Sequence, residues 1–134
     1  LELRCSPANY TRGGLSAMEV ARTIEDALAE YADSGIFHYS LLFIASRHGK
    51  MSRVYEHIEL AEKLMAAAQG FPRLRGFDLA GNEKSRSAAS MREALLPLME
   101  KCIHLTIHAG ETEDVQSIWE AVYHLSAERI GHGL

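Results

Sequence analysis

Ile103-His104-Leu105-Thr106-Ile107-His108, the turn Ala109-Gly110-Glu111, the run from Asp114 to Leu125 and then Arg129-Ile130-Gly131 form the stretch that decides the fold. A short apolar run closed by a Gly-containing turn reads as a buried strand, and the longer run after it as a helix. The second short run, 129–131, reads as a strand again. Parallel strands cannot be joined by a tight turn, so strand, helix and strand in that order make a parallel pair with a helical crossover.

The same order repeats along the rest of the chain. Leu1 to Cys5 alternates as a strand, and Ser6-Pro7 opens a polar loop to Gly14. Ser16-Ala17-Met18-Glu19 has the capping-box form, and Val20, Ile24, Ala27, Leu28 and Tyr31 follow at helical spacing until Gly35. Tyr39 to Ala45 reads as a strand, with Arg47-His48-Gly49-Lys50 as the loop after it. A helix from about Ser52 to Gln69 carries Tyr55, Ile58, Ala61, Leu64, Met65 and Ala68 on one face, and Gly70 and Pro72 stop it. Arg75 to Ala80 is a third strand leading into Gly81-Asn82-Glu83. Ser90-Met91-Arg92-Glu93 repeats the capping-box form and opens a helix through Met99 that Pro97 interrupts.

The predicted order β-α-β-α-β-α-β-α-β gives an α/β fold with a parallel sheet under helices. A doubly wound open sheet and a (β/α)8 barrel both fit. No GxGxxG or GxxxxGK[ST] follows the first strand, which weakens the nucleotide-binding open sheet. A barrel takes ~250 residues, and these 134 hold five strands. Residue 1 is not Met, and both ends fall within an element. Residues 1–134 are therefore expected to be the central part of a single barrel domain, incomplete at both ends. Open strand edges predict that this segment alone is neither stably folded nor active.

Composition narrows the class. With 47% hydrophobic and 24% charged residues the chain is neither a disordered polymer nor a disulfide-stapled miniprotein. A net charge of −4 provides no basic footprint for nucleic acid. The longest apolar run, Leu41 to Ala45, falls far short of the ~20 residues that span a bilayer. Cys5 and Cys102 lack CxxC spacing and are read as buried, reduced thiols, and nothing at the front resembles an export signal. A cytoplasmic protein without membrane or nucleic-acid partners is expected.

Parallel α/β folds bind ligands at the carboxyl ends of their strands. Those ends carry Arg4 and Ser6, Arg47 and His48, Asp78 and Gly81, His108 and Glu111, and His132. A neutral imidazole at a strand end suits Zn²⁺ or a similar divalent ion, and a carboxylate beside it can move protons. A backbone-bonded imidazole with a solvated carboxylate satisfies the same residues, and the local pattern leaves both readings open. Gly131-His132-Gly133 places a second imidazole at the adjoining strand end. His38, His57, His104 and His124 read as solvated or helix-surface residues, His48 has no role beyond the rim, and Trp119 reads as packing between helix and sheet.

Leu1-Glu2-Leu3-Arg4-Cys5-Ser6-Pro7, Gly76-Phe77-Asp78-Leu79-Ala80-Gly81-Asn82-Glu83, Leu105-Thr106-Ile107-His108-Ala109-Gly110-Glu111 and Glu128-Arg129-Ile130-Gly131-His132-Gly133-Leu134 resemble, in order, signature strands of the adenosine deaminase family. The resemblance implies a metal-dependent (β/α)8 barrel of the amidohydrolase type, carried here as about five consecutive strand–helix units. It implies hydrolysis of adenosine to inosine and ammonia with one zinc or other divalent metal per site and a small purine nucleoside as partner. His108 resembles the family's third metal-ligand histidine. Glu111 resembles the acid that protonates the purine at N1, His132 the histidine that orients and polarises the attacking water, and Gly81 the backbone donor that receives the ring. The family's His-x-His pair and its metal-ligand and substrate aspartates fall outside these residues, and Asn82 stands where an acid is more usual. The same barrel acting on adenine, AMP or another amidohydrolase substrate is the alternative enzyme reading. A catalytically inactive binding or signalling barrel is the alternative from another class.

Overall fold

A computed structural model describes residues 1–35, 37–66 and 71–134. Five strands form one sheet in the order β1-β2-β3-β4-β5, every neighbouring pair parallel. They are β1 (Glu2–Cys5), β2 (Ser40–Ser46), β3 (Leu74–Ala80), β4 (His104–Ala109) and β5 (Arg129–His132). The crossovers are α1 (Ala17–Asp33), α2 (Met51–Ala66), α3 (Arg92–Glu100) and α4 (Val115–Leu125). The segment Pro7–Gly13, expected as a loop, winds as 3-10 helix. The expected end of the second helix at Gln69 and Gly70 lies outside the described residues.

At the start of α1 the capping box forms. Ser16 Oγ accepts the Glu19 N–H at 3.2 Å, and Glu19 Oε2 accepts the Ser16 N–H at 2.7 Å. The matching pattern at Ser90 does not cap α3. A 3-10 turn, Ala89–Met91, runs straight into the helix, so Ser90 sits inside helical backbone instead of the extended conformation an N-cap needs. Its hydroxyl donates to Ser87 O at 2.8 Å. Pro97 lies within α3 without ending it.

The register sorts the sheet into two chemically different faces. Phe43, Ala45, Phe77, Leu79, Leu105 and Ile107 are buried on one face and share a core with Val54, Ile58, Leu64, Leu95, Leu98 and Leu125 of the helices. The other face carries the rows Arg4–Leu42–Gly76–His104 and Ile44–Asp78–Thr106–Arg129. This polar face is concave. In a flat sheet, four strand spacings of ~4.8 Å would hold β1 and β5 about 19 Å apart, beyond the joint reach of Glu and Arg. Yet Arg129 Nη1 lies 2.8 Å from Glu2 Oε2, and Arg4 Nη1 lies 2.9 Å from Asp78 Oδ2. The strands curl towards these pairs, with the helices outside.

Several expected burials are reversed. Tyr31 and Tyr55, placed on apolar helix faces by spacing, are exposed, and so is Trp119, which stacks on Tyr123 at 4.6 Å between ring centroids instead of packing on the sheet. Cys102 is exposed in a left-handed corner, φ 53°, after α3, while Cys5 is half-buried. His57 is buried, not solvated. It stands beside Ile58 on the covered side of α2, where Nδ1 bonds the Arg53 carbonyl one turn back at 2.7 Å. Among the described residues no helix is long and apolar enough to cross a membrane.

Candidate active site

β4 and β5 deliver two imidazoles to one place. His108, the penultimate residue of β4, shares the concave face with Asp78 of β3, and its Nδ1 lies 2.9 Å from Asp78 Oδ1. Asp78 is fully buried, and its second oxygen accepts from Arg4 Nη1 at 2.9 Å. A carboxylate accepts, so Nδ1–H donates and the lone pair of His108 is left on Nε2. Gly131, beside His108 in register, gives the ring its seat: a Cβ there would lie 3.1–3.3 Å from three ring atoms.

Strand alternation alone would send His132 to the helix side. Its left-handed backbone, φ 69°, breaks the alternation, and its ring comes within 5.2 Å of the His108 ring, centroid to centroid. Glu111 follows the end of β4, and its Oε2 stands 3.5 Å from His132 Nε2, with both side chains partly open to solvent. His108, Glu111 and His132 are thus brought together.

Gly81 stands one strand over, in the turn after β3. With φ 95°, and with His48 Nδ1 and Ser46 Oγ each 2.5 Å from where a Cβ would be, only glycine fits. His48, given no role by the sequence, packs there and bonds Ser46 Oγ at 2.7 Å. Asn82 caps the short turn that follows, its Oδ1 accepting the Lys84 N–H at 3.0 Å.

Arg47 corrects the expected rim. It alternates to the helix side of β2, is 1% exposed, and donates from Nη2 to the His108 carbonyl at 2.5 Å. Burial lowers its pKa, opposed by the charges of Glu83, Asp78 and Glu120. Asp78 is one residue whose part sequence reading left unassigned. The signal was present, because an acid inside Gly76-Phe77-Asp78-Leu79-Ala80 is buried and needs a partner.

Among the described residues no group of three or more His, Cys, Asp or Glu side chains forms a metal-binding cluster. What the donor set offers is one strand-end imidazole with Nε2 directed by a buried carboxylate, which fits a single ligand position on a divalent ion.

Sequential parallel strands, curled with helices outside and with imidazole and carboxylate groups at the carboxyl rim, define a segment of a (β/α)8-barrel enzyme fold. Solved structures share it. An adenine deaminase from Arthrobacter aurescens superposes with a TM-score of 0.79 at 22% identity, covering 98% of this chain and 38% of its own. An amidohydrolase from Burkholderia ambifaria, solved with bound Zn, gives a TM-score of 0.77 at 20% identity, covering 98% and 35%. In sequence, the adenosine deaminase of Edwardsiella ictaluri (strain 93-146) is 35% identical over 135 residues, 99% of this chain and 38% of that protein. The family described as Adenosine deaminase matches residues 1–134, and the chain belongs to it. The chain spans 38% of the length of that curated relative.

Proposed function

We propose that the intact protein hydrolyses the 6-amino group of a purine nucleoside, converting adenosine and water to inosine and ammonia with a divalent metal, zinc, at the site. The observation that carries this reading is the meeting of His108, His132 and Glu111 at adjoining strand ends, with 3.5 Å between His132 Nε2 and Glu111 Oε2. Membership of the adenosine deaminase family and the zinc carried by the amidohydrolase of the same fold support it. Residues 1–134 form the central part of one barrel domain in a cytoplasmic enzyme of purine metabolism.

Each residue has a task in this scheme. His108 would hold the metal through Nε2, with further ligands supplied from outside these residues. When bound, the metal lowers the pKa of a water towards neutrality and supplies a nucleophile near pH 7. His132 orients that water towards C6 and polarises it. The Gly81 N–H receives the purine ring. Glu111 gives a proton to ring N1, which makes C6 more electrophilic, and ammonia departs from the same carbon.

Adenine and AMP would use the same chemistry. The nucleoside is favoured because the rim cations leave little for a phosphate: Arg4 is taken up by Asp78 and Glu2, and Arg47 is buried. In the intact protein, Glu111→Gln keeps shape and loses the transferable proton. Turnover, followed by loss of adenosine absorbance, is expected to fall ~10²–10⁴-fold with metal content unchanged. His108→Ala is expected to lose metal as well as rate. Near-normal turnover in Glu111→Gln refutes the scheme, and an inactive wild type with full metal content favours a binding barrel.

A further inference from the structure

We propose that Glu83 is a positioning residue for Glu111, clamping the backbone of the loop that presents the acid; the inference rests on the deaminase reading above. Glu83 sits in the 3-10 turn Glu83–Ser85 after β3 and is 4% exposed. A buried carboxylate is costly unless its oxygens are satisfied. Both are, by one loop: Oε1 accepts the Glu111 N–H at 3.1 Å and Oε2 accepts the Glu113 N–H at 3.2 Å.

The turn that aims Glu83 is itself fixed. Asn82 Oδ1 accepts the Lys84 N–H, and Ser85 Oγ donates to Asn82 O at 2.7 Å. Buried Arg47, whose charge interacts with that of Glu83, is bonded in turn to the His108 carbonyl. Glu83 therefore ties the end of β3 to the loop after β4 at the point where His108 gives way to Glu111.

The Glu111 side chain is half-exposed, and His132, whose Nε2 stands 3.5 Å from Glu111 Oε2, is itself partly open to solvent. Little packing holds that carboxyl in place, so its location is set by its own backbone. The two bonds from Glu83 fix that backbone on either side of Thr112. A proton donor displaced by ~1 Å can cost ~10²-fold in rate, and a clamp on the main chain prevents such drift while leaving the carboxyl free to exchange its proton.

Glu83→Gln tests this in the intact protein. The amide keeps the shape but turns one acceptor into a donor facing a backbone N–H, so one clamp bond is lost. The expected result is kcat lower by about 10- to 100-fold, KM within about threefold of wild type and metal content unchanged. The double variant with Glu111→Gln is expected to be no slower than Glu111→Gln alone, because the clamp has no acid left to position. Amide hydrogen exchange at Glu111 and Glu113 is expected to be protected in the wild type and faster in Glu83→Gln, with β4 unaffected. A kcat within about twofold of wild type, losses that multiply in the double variant, or loss of metal overturns the proposal. Inactivity of the wild type on adenosine, adenine and AMP overturns the deaminase reading instead. The exchange data then decide the clamp alone, and unprotected Glu111 and Glu113 amides in the wild type overturn it, whether or not the variant folds.

Discussion

Asp78 Oδ1 and His108 Nδ1 stand 2.9 Å apart across β3 and β4, with the carboxylate wholly buried. Arg4 of β1 holds the other carboxylate oxygen, so one chain of charge-assisted bonds runs Arg4–Asp78–His108 over the concave face. It fixes both the tautomer and the direction of the imidazole. Asp78→Asn weakens that control while keeping the side chain's shape. Metal affinity in the intact protein, measured by chelator competition, is expected to fall about 10- to 100-fold. Unchanged affinity would show that His108 is oriented by packing alone.

The alternation of strands and helices was legible because it rests on two periodicities that local sequence carries. His108, Glu111 and His132 could be singled out as neighbours because the carboxyl ends of a parallel sheet's strands lie side by side. Asp78 and Glu83 escaped assignment because their partners, His108 and the amides of Glu111 and Glu113, lie 28 to 30 residues away in sequence, and only the register joins them. Ser90 misled because its motif names residues and not backbone angles. Arg47 misled because one further step of alternation carries it off the concave face.

The pair Glu2–Arg129 links the first and last strands and sets an acid-side dependence. The hydrogen bond from Arg129 lowers the pKa of Glu2 from the ordinary carboxylate value, with further lowering by the charges of Arg129 and Arg4 and opposed by burial. A lowered folded-state pKa contributes stability that is present above the unfolded value and lost as pH falls through the folded one. Both side chains are partly exposed, so the contribution is about 0.2–1 kcal/mol. Glu2→Gln is expected to lower Tm slightly at pH 7 and to make no difference at pH 2. An equal Tm loss at both values would mean that packing, not charge, supplies the effect.

The two cysteines should differ in reactivity. Burial pushes the Cys5 thiol up to about 11, whereas Cys102 is exposed. At pH 8 about one Cys5 in a thousand is then thiolate, the reactive form. Iodoacetamide on the native protein is expected to label Cys102 first, with Cys5 labelled only after unfolding, as read by peptide mass spectrometry. Equal labelling rates in the native protein would refute the burial of Cys5.

Gly131 sets how closely β5 can approach the His108 ring. The space a Cβ would take lies 3.1–3.3 Å from three ring atoms, so Gly131→Ala requires the imidazole to move by a few tenths of an ångström. On its other side the ring is held by Asp78 at 2.9 Å, and that buried carboxylate is held by Arg4. The ring therefore cannot yield without stretching a charge-assisted bond, and overpacking of this kind costs about 1–3 kcal/mol. Gly133→Ala is the control. Its φ of 71° makes that substitution strained, but the Cβ would meet Ile130 at 3.6 Å and not the ring. Both variants are expected to lower Tm. Only Gly131→Ala is expected to lower metal affinity and turnover together, because it alone displaces the imidazole. Equal metal affinity in the two variants would show that His108 tolerates the shift and that the seat on Gly131 does not set its position.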